Sequence, residues 1–135
     1  MIKLRDILNE AKLSKDDILA VVNKSYPKII KAYKPGKRGI PKVEIHRSIH
    51  ARLSGVEDMM GEENPHAEYD WDKNKIYLYQ PRMTSVEQII RSLIHEYIHS
   101  TQDIKKMKKN RELGYDNDPF EKEAHRAERN WKKFI

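Results

Sequence analysis

The strongest hydrophobic pattern in the chain runs through residues 84 to 101. Apolar side chains recur there at helical spacing and cover more than half of a helix circumference. Thr84 and Glu87 form a capping-box sequence that predicts the start of this helix. An apolar face this broad predicts a buried helix rather than one lying on the surface. The apolar positions are Ile89, Ile90, Leu93, Ile94, Tyr97 and Ile98.

Shorter alternating patterns predict a small sheet before this helix. Residues 43 to 49 alternate apolar and polar side chains, as a half-buried strand does. Residues 66 to 71 and 75 to 80 are aromatic-rich runs, and the Asp-Lys-Asn sequence at 72 to 74 between them has the composition of a hairpin turn. We expect Ile76, Leu78 and Gln80 to face one side of this sheet, and Tyr77 and Tyr79 the other.

The N-terminal part of the chain has helical patterns. Residues 2 to 12 are amphipathic and predict a short helix, and Ser14 followed by Asp17 predicts the start of a second one. Pro27 either kinks that second helix or opens a third. Residues 34 to 41 contain two glycines and two prolines, which predicts a loop between these helices and the mixed remainder of the chain.

The C-terminal part is also predicted to be helical. The sequence after Thr101 is strongly basic, and we expect this lysine run to be the exposed end of the long helix, where positive charge suits the helix dipole. Asp118 and Pro119 are favoured residue types for the N-cap and first position of a last helix, which extends to about Phe134. Together the elements predict an α+β domain with helices around a small, mostly antiparallel sheet.

Length and composition restrict the class of protein. With 135 residues the chain is predicted to be a single domain over residues 1 to 135, with a helical segment at 1 to 42 and a mixed segment at 43 to 135. The absence of cysteine excludes disulfides, thiolate ligands and a cysteine nucleophile, and is typical of a reducing compartment. No apolar run resembles a signal peptide or a membrane span, so we expect a soluble cytoplasmic protein without a membrane partner.

The net charge of +6 is concentrated near the N-terminus. Residues 1 to 42 contain 11 Lys and Arg against 4 Asp and Glu, residues 43 to 83 contain 5 against 8, and residues 84 to 135 contain 11 against 9. A basic surface can attract nucleic acid or an acidic partner, although Lys-rich helices are commonly just solvated. Few aromatic residues are interleaved with these charges, which argues against nucleic acid as a partner.

The candidate chemistry lies in the long helix, at His95-Glu96-Tyr97-Ile98-His99. Residues four apart stand one turn above each other, so His95 and His99 can direct ring nitrogens at one metal ion. Glu96 stands beside His95, where its carboxylate could take a proton from a water molecule on that metal. Because the rest of this helix is apolar, its polar stripe requires hydrogen-bond or metal partners. The motif therefore predicts a zinc hydrolase.

A catalytic zinc ion usually has three protein ligands and one open position, so this motif needs a further donor. The last predicted helix offers Glu121, Glu123 and His125. Glu121 and His125 share a helix face, whereas Glu123 points away from both. Either the pair Glu121 and His125 or Glu123 alone can therefore face the metal. Ala124 is small enough to let the helices approach closely, and we favour Glu121.

The HExxH sequence at 95 to 99, followed by Glu-Lys-Glu-Ala-His at 121 to 125, resembles the HExxH and ExxA pattern of gluzincin-type metallopeptidases. The most similar are small phage and bacterial zincins related to the peptidases that cut phage repressors. The resemblance covers residues 43 to 135 and implies a minimal zincin-like α+β fold in which Glu121 is the third zinc ligand. It also implies that an edge strand, here residues 75 to 80, lies beside the motif helix and binds an extended substrate.

The resemblance and the residues together predict a zinc-dependent peptidase whose partner is a peptide or protein substrate. Glu96 would be the general base, and Tyr115 and His125 are candidates for a second oxyanion donor besides zinc. His125 stands where these peptidases often have Asn, so it is also a candidate ligand or ligand partner.

Two alternatives stay open. One is a zincin scaffold with little or no activity that binds protein or nucleic acid through its basic N-terminal segment, and the other is a zinc hydrolase acting on non-peptide substrates. Intact Glu96 argues against the scaffold, because a structural zinc site does not need a carboxylate beside its ligand.

Overall fold

The computed structural model describes residues 13 to 55, 65 to 111 and 118 to 135, and within them the predicted α+β class is confirmed. The predicted helix over residues 2 to 12 and the position of Tyr115 lie outside these residues. None of the described helices has both the length and the apolar composition needed to cross a membrane.

The described residues form five helices and three strands. The helices are α1 (Lys15–Tyr33), α2 (Ile49–Ser54), α3 (Val86–Thr101), α4 (Ile104–Arg111) and α5 (Pro119–Glu128). The strands are β1 (Lys42–His46), β2 (Ala67–Asp70) and β3 (Lys75–Tyr79), and 3-10 turns cover Gln80–Arg82 and Trp131–Phe134.

The described strands form one mixed sheet in the order β1-β3-β2. β2 and β3 form the predicted antiparallel hairpin, and Asn74 in its turn has a positive φ of 54°, which asparagine tolerates better than most residues. β1 pairs with β3 in parallel, with Val43 opposite Ile76. The expected mostly antiparallel sheet is therefore replaced by one parallel and one antiparallel pair.

The prediction that residues 75 to 80 form the edge strand beside the motif helix is wrong. Residues 75 to 79 are the central strand β3, and β2 is the edge strand that packs against α3. Burial explains this order. The last four residues of β3 are each at most 3% exposed, so neighbours cover both of its faces, whereas every residue of β2 is only partly buried.

The N-terminal helix α1 begins at the predicted capping box. The Ser14 hydroxyl accepts a hydrogen bond from the Asp17 N–H (3.1 Å), and the Asp17 carboxylate accepts one from the Ser14 N–H (3.2 Å). Pro27 lies inside α1, so one helix continues through this position instead of a new one opening there. The following loop brings Gly36 against the end of α3, where a β-carbon would lie 2.9 Å from the Thr101 α-carbon. A side chain at Gly36 would therefore separate the loop from α3.

Three other predicted boundaries shift because of polar caps. The strand predicted over residues 43 to 49 ends three residues early, since the Ser48 hydroxyl caps α2. The cap of α3 is Ser85, one residue after the predicted position. The lysine run is not the end of α3, because the Asp103 carboxylate accepts a hydrogen bond from the Lys106 N–H (3.2 Å) where the separate helix α4 begins.

The motif helix α3 lies at the centre of the fold. It packs against α1, α5 and the sheet, and its apolar side chains belong to the same hydrophobic cluster as Ile76 and Leu78 of β3. Those two strand residues are fully buried and lie on one side of the sheet, as predicted, whereas Gln80 begins the 3-10 turn that follows β3. This packing leaves the polar stripe of α3 facing α5, where His95 and His99 contact Glu121.

Tyr97 combines complete burial with an unsatisfied hydroxyl. Its ring contacts Tyr26 edge-on at 5.9 Å, while its hydroxyl has no hydrogen-bond partner among the described residues. Tyr97→Phe should therefore raise the free energy of unfolding by about 1 kcal/mol, because the unsatisfied group is removed and the ring is kept. Urea unfolding measures this difference.

Tyr26→Phe is the matched control for that substitution. The Tyr26 hydroxyl donates a hydrogen bond to the Pro41 carbonyl (2.7 Å), so its removal should lower the free energy of unfolding by about 1 kcal/mol. A clear loss of stability in Tyr97→Phe would contradict the prediction.

Candidate metal centre

The three predicted metal ligands meet between α3 and α5. His95 and His99 stand one turn apart on α3, with ring centres 4.9 Å apart. Asp118 caps α5 and Pro119 is its first residue, as predicted, which places Glu121 in the first turn. The Glu121 carboxylate contacts both histidines, with Oε2 3.0 Å from His95 Nε2 and Oε1 3.0 Å from His99 Nε2.

The other candidates on α5 lie differently. Glu123 is exposed and accepts a hydrogen bond from Gln102 (3.1 Å). The His125 side chain is 66% exposed, and its ring centre lies 4.7 Å from that of His95. Ala124 is fully buried, in keeping with the close approach of the helices. Of the three acidic or histidine candidates on α5, only Glu121 contacts both motif histidines.

Two residues that the sequence analysis missed contact the outer ring nitrogens. Glu128 Oε2 lies 2.9 Å from His95 Nδ1, and Gln102 Oε1 lies 2.7 Å from His99 Nδ1. One signal was available for Glu128, which stands two helical turns after Glu121 and therefore on the same face of α5. Gln102 follows the end of α3, where helical periodicity no longer predicts direction.

These outer contacts indicate which nitrogen of each histidine ring carries the proton. The Gln102 nitrogen donates to the Phe120 carbonyl (3.0 Å), so its oxygen is the atom that accepts from His99 Nδ1. An ionised Glu128 can only accept, so His95 Nδ1 is also a donor. When the rings are neutral, both Nε2 atoms therefore present lone pairs toward the Glu121 carboxylate.

Converging lone pairs require a cation among them. Two imidazole nitrogens and a carboxylate at 3.0 Å repel each other unless protons or a metal ion stand between them. Metal-binding histidines are usually oriented by such a hydrogen bond on the other ring nitrogen, so the arrangement fits a metal ion. Two overlapping groups have donor atoms within 4.8 Å of one another, His95 with Glu96 and His99, and His95 with Glu121 and His125. Glu121 contacts both motif histidines, so His95, His99 and Glu121 form a third possible ligand set that draws on both groups.

The same contacts shift the ionisation of the cluster. Burial lowers the pKa of His95, but the hydrogen bonds with Glu121 and Glu128 outweigh this and raise it to about 10. Burial also opposes the charged form of His99, yet its contact with Glu121 leaves the His99 pKa raised. Burial opposes ionisation of Glu121, but the two histidines hold the pKa of that carboxyl well below its usual range. The Glu121 carboxylate thus stays ionised and favours positive charge at both rings.

Glu96 differs from the other acidic residues of the cluster because it has no hydrogen-bond partner among the described residues. It is only 9% exposed, and burial raises its pKa while the positive charge of the two histidines opposes the rise. Glu96 lines both cavities beside the cluster. A buried carboxylate without a protein partner is available to a water molecule or ligand in those cavities.

Two cavities of about 370 and 460 Å³ lie beside the cluster. Pro65, Ala67, His95 and Glu96 line both of them, so they adjoin along the edge of β2. The smaller cavity extends past His99, Glu121 and Arg52, and the larger extends past Arg91, His125 and Glu128. Together they provide space for an extended ligand across the histidine cluster.

Comparison with known proteins gives no family for this chain. No protein-family model, curated protein or solved structure matches it.

Proposed function

We propose that this protein is a zinc-dependent metallopeptidase that hydrolyses peptide bonds. The proposal rests on the convergence of His95 Nε2, His99 Nε2 and the Glu121 carboxylate, with a side-chain oxygen in contact with each outer ring nitrogen. Two histidines and one glutamate are a ligand set of catalytic zinc sites, which leave a fourth position open. Imidazole donors favour zinc over magnesium or calcium, and the chain has no cysteine to complete a closed structural site.

Each residue of the cluster has a distinct role in this proposal. His95, His99 and Glu121 hold the ion, which would polarise the scissile carbonyl and lower the pKa of a water molecule to about 7. Glu96 accepts the proton of the attacking water and transfers it to the departing amine, since its carboxylate is not engaged by another described residue. Glu128 orients the His95 ring, as the Gln102 amide orients the other.

The edge of β2 provides a binding surface for an extended peptide. The Tyr79 N–H donates to the His66 carbonyl (3.1 Å), which marks a hydrogen-bonded position of the β2-β3 ladder. Because such positions alternate, the peptide groups of Ala67 and Tyr69 point to the other edge, which no described strand covers. A substrate strand that pairs with this edge would pass along the two cavities.

His125 is a candidate donor to the oxyanion. It lies beside His95 and lines the larger cavity, and its ring is mostly exposed, so it can reach a substrate on that side. Tyr115, the other candidate from the sequence, lies outside the described residues.

The test is cleavage of an unfolded protein by the purified chain. A reduced, carboxymethylated protein substrate should be cut by the zinc-loaded protein, cleavage should stop when a chelator removes the metal, and added zinc should restore it. Fragments resolved by mass spectrometry report the cut sites. Tightly bound zinc without chelator-sensitive cleavage would contradict the proposal and favour the non-catalytic binding scaffold.

A further inference from the structure

Arg52 occupies a fixed position in the wall of the smaller cavity, which also contains the motif residues of α3. Its Nε donates to the Tyr79 hydroxyl (3.0 Å), and Nη2 donates to the Glu68 carboxylate (3.3 Å). The guanidinium carbon lies 4.2 Å from the centre of the Tyr77 ring. Three different groups therefore hold this side chain, which is 18% exposed.

These contacts leave hydrogen-bond donors unused. A guanidinium has five N–H groups, and those on Nη1 have no hydrogen-bond partner among the described residues. Little conformational entropy remains to be lost when such a rigidly held group binds a ligand. Arg52 is therefore suited to bind an oxygen atom of a ligand in this cavity.

The surrounding charges decide which kind of oxygen suits this site. Glu68 neutralises Arg52, and the zinc ion of the proposed function is offset by three further acidic residues that line the same cavity, Asp70, Glu96 and Glu121. These charges nearly balance, so a ligand carboxylate gains little net attraction here, whereas a neutral carbonyl oxygen needs only the free N–H donors of Arg52. The arrangement favours a peptide carbonyl as the acceptor.

We infer that Arg52 binds a backbone carbonyl of the substrate and holds the peptide in the smaller cavity. The inference rests on the proposed peptidase function. It identifies the chemical group of the substrate that the protein binds on this side of the cluster. Every peptide carries this carbonyl, so Arg52 contributes to the binding of all sequences and does not select one side chain. Neither a free C-terminus nor an acidic side chain is required.

Kinetics of Arg52→Gln and Arg52→Lys test the inference. The substrates are an uncharged peptide with blocked ends that spans a cut site mapped in the unfolded protein, the same peptide with a free carboxylate, and a version with Glu beside the cut site. KM should rise roughly 10- to 100-fold for all three, and kcat should change by less than about threefold, because ground-state and transition-state binding are lost together. Tyr79→Phe, which frees Nε, should raise KM by a smaller factor.

Arg126→Gln is the matched control. It removes the same charge from an exposed position of α5 and should leave KM unchanged. Zinc content and melting temperature are measured for each variant. If the Arg52 variants have a lower melting temperature but an unchanged KM, Arg52 only stabilises the packing of α2 on the sheet. If their KM rises only for the peptides that carry a carboxylate, Arg52 is part of an anion site. Either result overturns the inference.

Different results would overturn the peptidase function and the role of Arg52. If the wild type cleaves peptides and the Arg52 variants keep its KM, only the role of Arg52 is overturned. If the wild type binds zinc and cleaves nothing, the peptidase function is overturned, and the role of Arg52 is overturned with it.

Discussion

Replacing Glu96 by Gln should lower kcat for peptide hydrolysis by roughly 10²- to 10⁴-fold while zinc stays bound. The amide has almost the shape of the carboxylate, so packing around α3 is retained, but it cannot accept the proton of the attacking water. His95, His99 and Glu121 are unchanged and keep their contacts. Zinc content by metal analysis and single-substrate kinetics on the same preparation separate the two effects.

Glu123→Gln is the control for that substitution. It removes one negative charge from an exposed side chain of α5 that does not contact the motif histidines. Its kcat should stay within about twofold of the wild type, as expected of a surface change. Loss of zinc from Glu96→Gln would place this carboxylate among the metal ligands, as in the group formed by His95, Glu96 and His99, and would contradict its assignment as the base.

Local patterns in the sequence were sufficient to predict the motif helix and the start of α5. The apolar face of α3 is continuous and belongs to a single element, so periodicity alone identifies it. Asp118 and Pro119 act within one helical turn, and the structure shows both in the predicted positions. Helix geometry separated Glu123 from Glu121 and His125, because residues two apart point in different directions, but the choice of Glu121 rested on the small Ala124 and on the resemblance.

The features that the sequence did not predict depend on contacts between distant segments. The edge strand was misassigned because the parallel pairing of β1 with β3 joins residues more than 30 positions apart and leaves no local trace. Arg52 likewise reaches Tyr79 and Glu68 across the sheet, and a single arginine in α2 has no pattern that indicates these partners. Long-range pairing is decided by the competition of all strands for buried positions, which a local reading does not include.

The ligand assignment predicts opposite results for two neighbouring glutamates. Glu121→Ala should weaken zinc binding by more than about 100-fold, a larger loss than substitution of a residue that only orients a ligand typically causes. Glu123→Ala should leave the affinity unchanged within about twofold, because its side chain contacts Gln102 and not the motif histidines. Competition with a chromophoric chelator measures both dissociation constants.

A second pair of variants decides whether His99 or His125 completes the metal site with His95 and Glu121. His99 Nε2 contacts Glu121, whereas the His125 side chain is mostly exposed and is not held by an outer hydrogen bond like that of His99. His99→Ala should therefore abolish tight zinc binding and His125→Ala should retain it. The reverse result would assign the metal to His95, Glu121 and His125, move it toward the larger cavity, and remove His125 from consideration as an oxyanion donor. Zinc affinity thus shows whether His125 is a metal ligand before any substrate is known.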